Sequence, residues 1–154
     1  MKRGIMFNIP NARGKFLYEI LHDLDIWHYI WQVDPVESYK EIEIGETLFP
    51  SSSEDHILTS KELSEIISEG ENQYLIFVDL KGYRKKEEVR DIRSYEDYLE
   101  SECQFVLIIV DTTEVYVFAK QPELNEQLFK IAKRNGYKDI KYLTDENAPT
   151  IRFE

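Results

Sequence analysis

Asp79 and Asp111 each follow an apolar run, Tyr74-Leu75-Ile76-Phe77-Val78 and Phe105-Val106-Leu107-Ile108-Ile109-Val110. Two carboxylates leaving neighbouring parallel strands at one sheet edge would suit a hard divalent cation, which prefers oxygen ligands and serves phosphoryl chemistry. Ligands of open α/β sheets gather at such strand ends. Aspartates also end strands and open turns with no further role. Nothing nearby completes a catalytic set. Gly14-Lys15 is followed by Phe16, so there is no phosphate loop, and GxGxxG, GxSxG, HExxH and CxxC are all missing. No catalytic residue, metal ligand or cofactor is therefore assigned. The expectation leans away from an enzyme.

Trp27, Tyr29 and Trp31 alternate within Ile26–Val33 and would share one face of a strand. Such a row forms either sheet core or a docking surface, because Trp and Tyr anchor many interfaces. If exposed, it would be rimmed by acids at 34, 37, 41, 43 and 46. Lys81, Arg84, Lys85, Lys86, Arg90 and Arg93 form the one basic cluster, and Glu87, Glu88 and Asp91 dilute it. It reads as a solvated loop. Cys103 precedes an apolar strand and reads as a small core residue. His22, His28 and His56 fall on three segments with no catalytic spacing.

The elements that must position these groups follow from periodicity and punctuation. A first strand covers residues 2–9, and Pro10-Asn11 turns the chain, with Asn11 as a helix cap. Phe16, Leu17, Ile20, Leu21 and Leu24 mark a helix over 12–24. Strands follow at 26–33 and, more weakly, at 39–44. Thr59 and Glu62 have capping-box spacing before Leu63, Ile66 and Ile67, and Gly70 is the stop. Strands at 74–79 and 105–110 flank a short helix at 94–101; a right-handed crossover through it would make them parallel and central. A tight turn at 111–114 returns the chain as an antiparallel strand at 115–118. Pro122 opens the clearest helix and Gly136 ends it. Residues 140–143 form a last strand. Pro50–Asp55 is a surface loop. The fold class is α/β in the mixed α+β sense: one domain over 1–154, with helices packed on a central sheet of five to seven strands.

The 154 residues carry 42% apolar residues and 13% aromatics, too many for a disordered chain. No apolar run approaches the ~18 residues of a membrane span. One cysteine excludes an internal disulfide framework. The absence of a cleavable leader and of paired cysteines points to the cytoplasm. The net charge is −11, with residues 1–77 far more acidic than the rest. That balance disfavours nucleic acid and anionic membranes and favours a basic protein partner.

Three stretches, Lys2–Asn11, Ser94-Tyr95-Glu96-Asp97-Tyr98-Leu99 and Tyr142-Leu143-Thr144-Asp145-Glu146-Asn147, together resemble a small family of uncharacterised proteins, a domain of unknown function, from Gram-positive spore-forming bacteria. The resemblance spans nearly the whole chain. It implies a bacterial cytosolic setting and carries no site residues with it. The leading functional expectation is a non-enzymatic acidic protein-binding module, immunity- or antitoxin-like in one concrete form, with Trp27, Tyr29 and Trp31 as its surface. The alternative is a metal-dependent enzyme or small-ligand-binding protein built on Asp79 and Asp111. Strand pairing at 39–44 or 115–118 would allow a homo-oligomer.

Overall fold

A computed structural model describes residues 1–34, 37–50 and 56–153. The strands are β1 (Lys2–Asn8), β2 (Ile30–Asp34), β3 (Ser38–Glu41), β4 (Glu46–Thr47), β5 (Ile57–Thr59), β6 (Tyr74–Leu75), β7 (Val78–Tyr83), β8 (Phe105–Val110), β9 (Glu114–Ala119) and β10 (Lys138–Thr144). The helices are α1 (Phe16–Leu21), α2 (Ser60–Ser68), α3 (Tyr95–Glu100) and α4 (Pro122–Arg134). Seven strands form one sheet in the order β10-β1-β9-β8-β7-β2-β5, with every neighbour antiparallel, and β4-β3-β6 form a small second sheet. The fold is mixed α+β, as expected.

Both faces of the large sheet are covered. Helices α1, α2 and α4 bury Leu17, Ile20, Leu63, Leu124 and Leu128 against Ile5, Trp31, Leu80, Leu107 and Val117. On the other face α3 and the segment 148–153 pack Tyr95, Tyr98 and Phe153 onto Tyr83, Val106 and Phe118. This double cover explains why 105–109 is apolar throughout and wholly buried.

The strands expected to be parallel are antiparallel, with Val78 opposite Ile109 and Gly82 opposite Phe105. Helix α3 has six residues, which at ~1.5 Å each is about half the length of an ordinary strand. It cannot carry the chain back along the sheet. The 84–104 connection instead folds over one face and re-enters beside the strand it left, where Gln104 N–H donates to the Gly82 carbonyl at 2.8 Å. Burial on both faces reported coverage, not direction.

Other boundaries moved for local reasons. Helix α1 begins at Phe16 with no side-chain cap, because Asn11 accepts a hydrogen bond from the Tyr74 hydroxyl at 2.7 Å instead. The chain turns at Ile26–Tyr29, so β2 starts only at Ile30. Residues 42–44 form a 3-10 turn rather than strand. The capping box at Thr59 and the α4 limits at Pro122 and Gly136 match the sequence reading. Of the expected loop Pro50–Asp55, residues 51–55 lie outside the described residues.

Candidate functional site

The period-2 alternation of β7 sets the site. Val78, Leu80 and Gly82 face the α1/α2/α4 side, and Asp79, Lys81 and Tyr83 face the other. Asp79 and Lys81 thus stand two residues apart on one face, and Lys81 Nζ donates to Asp79 Oδ1 at 2.7 Å. Both are buried, at 9% and 7% exposure. Burial pushes the Asp79 carboxyl above its ordinary range, the Lys81 ammonium pulls it back, and the charge of Asp34 pushes it up further. Phe153 lies beside the pair, and its carbonyl accepts a long 3.5 Å contact from Lys81.

Strand β2 supplies the next groups. In register, Gln32 stands opposite Lys81 and Asp34 opposite Asp79. Two aspartates face each other directly across a strand pair, an arrangement that costs stability. A cleft of about 380 Å³ opens over these residues, walled also by His56, Arg93 and Phe153. His56 enters with a positive φ of 53°, its carbonyl held by Val33 N–H at 2.8 Å. Its Nδ1 is buried with no hydrogen-bond partner among the described residues. A second cavity of about 270 Å³ adjoins the first. It is mainly apolar, formed by Phe77, Val78, Ile108, Ile109 and Val110, and it shares only Asp34 and Asp79 with the polar cleft. Arg152 stands on its wall.

Asp79 is therefore in the cleft, but not as a strand terminator beside Asp111. It sits near the start of β7, already neutralised by Lys81. Asp111 occupies the exposed β8–β9 turn at φ 50° and lines neither cavity. No group of three or more His, Cys, Asp or Glu that could hold a metal occurs among the described residues. The carboxylate that faces Asp79 is thus Asp34 rather than Asp111, and one oxygen of Asp79 is taken by the Lys81 ammonium.

The aromatic row is not a surface. Tyr29 and Trp31 are 3% and 0% exposed, and Trp27 is half-buried. Trp31 meets Phe105 edge-on at 5.7 Å and donates Nε1–H to Ser60 Oγ at 2.9 Å. Gly82 makes room for it: a Cβ there would sit 3.1 Å from the rings of both Trp31 and Tyr29. The oligomer edges move too. The 115–118 segment lies in β9, paired on both sides, and β3 is the middle strand of the small sheet.

Lys81, Asp34, Gln32 and His56 were missed as site residues. A strand that ends at Asp79 leaves Lys81 in the basic loop. Alternation through 78–83 would have extended it. The Asp34–Asp79 pairing needs the strand order, which no local pattern carries. The rest of the basic cluster is exposed, with Arg93 paired to Asp91 at 2.7 Å.

The fold is an antiparallel sheet with helices packed on it, and a charged cleft opens over β2 and β7. The chain belongs to the family described as "Protein of unknown function (DUF2691)", whose model matches residues 2–154. It is 33% identical over 147 residues to the uncharacterised protein YncE of Bacillus subtilis (strain 168), covering 96% of this chain and 95% of that one. No solved structure matches it. No helix among the described residues is long and apolar enough to cross a membrane.

Proposed function

We propose that this is a non-catalytic, cytoplasmic binding protein whose small charged ligand engages the cleft over Gln32, Asp34, Asp79 and Lys81. The observation that carries the reading is the buried Asp79–Lys81 pair. Desolvating two charges costs several kcal/mol per ion, and packed apolar residues of the same volume usually serve stability as well or better. A charged pair kept under an open cleft, beside an aspartate that repels it, fits recognition better than folding. The buried His56 Nδ1 adds a polar atom that has no hydrogen-bond partner among the described residues.

The test is a thermal-shift and ligand-observed NMR screen of charged metabolites against wild type and the double variant Asp79→Asn/Lys81→Met. Binding by wild type that the folded double variant loses supports the proposal. Equal binding by both, or no binding across the screen, overturns it.

A second reading keeps one support, the net charge of −11. It is a basic protein partner, of which an immunity- or antitoxin-like role is one form. With Tyr29 and Trp31 in the core, such a partner would rely on charge rather than an aromatic anchor. Capture from the native host should then yield a stoichiometric basic protein released by salt, and light scattering would separate this from self-association. A monomer with no partner at native concentration would sink it.

A further inference from the structure

We infer that the ligand class of this cleft is an apolar primary amine, with its ammonium between Asp34 and Asp79 and its hydrocarbon body in the groove of Phe77, Val78, Ile108 and Val110. The inference rests on the cleft being a ligand site, as proposed above, and adds what the ligand is.

Three observations converge on it. First, the polar cleft and the apolar groove meet at Asp34 and Asp79 and share no other residue. A molecule occupying both must pass those two carboxylates. Second, the two carboxylates are not equally paired. Lys81 neutralises Asp79 at 2.7 Å, while Asp34, directly opposite, is exposed and makes no ion pair among the described residues. Third, the groove beyond the junction offers hydrocarbon, which favours burial of an alkyl chain over a hydrated inorganic cation. An ammonium, unlike a metal ion, needs only hydrogen-bond acceptors and one counter-charge, and Asp34 with the free oxygen of Asp79 provides both.

The same geometry makes the key variant informative. Asp34→Asn removes a like-charge contact across the strand pair, so it should fold at least as stably as wild type while losing the counter-charge.

The experiment is a ¹H–¹⁵N NMR titration of the full chain with hexylammonium chloride, butylammonium chloride and sodium hexanoate at fixed ionic strength. Hexylammonium should saturate, with shifts concentrated at Val33–Asp34, Val78–Lys81 and Ile108–Val110. Butylammonium, two methylenes shorter, should bind about 15-fold more weakly, since each buried methylene contributes roughly a fourfold factor. Hexanoate should not bind. Asp34→Asn should weaken hexylammonium at least about tenfold. Equal binding by Asp34→Asn, no dependence on chain length, or diffuse shifts over the acidic surface would overturn the inference, the last marking attraction by net charge alone. If hexylammonium fails while another metabolite binds wild type and not Asp79→Asn/Lys81→Met, the ligand class falls and the binding reading stands. If nothing binds, both fall.

Discussion

An ammonium and a carboxylate held 2.7 Å apart and nearly dry depend on each other. Removing Lys81 alone strands a buried anion. Lys81→Met should therefore cost about 3–5 kcal/mol at neutral pH, while Asp79→Asn/Lys81→Met should be near neutral; urea unfolding of the three proteins checks this. The pH dependence has a defined sign. The folded-state pKa of Asp79 lies above its unfolded value, so its contribution to stability is fully present below the unfolded pKa and is lost as pH rises through the folded one. Without Lys81 the folded pKa moves higher still. The deficit of Lys81→Met should thus shrink as unfolding is measured in progressively more acidic buffer, and a deficit that grew on acidification would refute the assignment. Cys103 makes a simpler case. It is fully buried, and burial pushes its thiol up to about 11. Iodoacetamide at neutral pH should label it only at the rate of unfolding, and fast native-state labelling would contradict that. At this scale the sequence was partly legible. From the sequence Cys103 reads as core and Asp79 as a strand terminator, while its ion-pair partner Lys81, two residues on, emerges only once the strand is extended.

Punctuated elements were the most legible. Thr59 Oγ1 accepts from Glu62 N–H at 3.1 Å, and Glu62 Oε1 accepts from Thr59 N–H at 3.0 Å, the reciprocal box that the spacing announced. Thr59→Ala should cost about 1 kcal/mol by denaturant titration; no loss would mean the first turn of α2 is held by Ser60, whose hydroxyl already bonds the Tyr29 carbonyl at 2.6 Å. Gly136, at φ 71°, stops α4 where expected. Strand direction and partners were not legible. The run Phe105–Val110 states that both faces are covered, and the same pattern serves parallel and antiparallel sheets. The short β5 was unseen because its three residues run straight into the α2 cap. Asp34 and Asp79 lie far apart in the chain, and only the β2–β7 register makes them neighbours.

The whole molecule carries a net charge of −11 and repels itself. Surface pairs such as Lys2–Glu126 and Arg134–Asp23, at 3.4 Å each, are exposed and contribute little. Raising NaCl from about 10 to about 150 mM shortens the screening length to ~8 Å, so the melting temperature should rise as self-repulsion is screened. A fall would mean the surface pairs outweigh that repulsion. The strand order has a separate consequence. Strand β1 lies between β9 and β10, so the strand of this sheet made earliest has as neighbours the two of the sheet made latest. Until residue 144 emerges, Ile5 and Phe7 have no completed slot, and β9 keeps an open edge. This half of the sheet must therefore zip only once β10 has been made, around a β1 that has waited for it, and its vulnerable moment is birth rather than service.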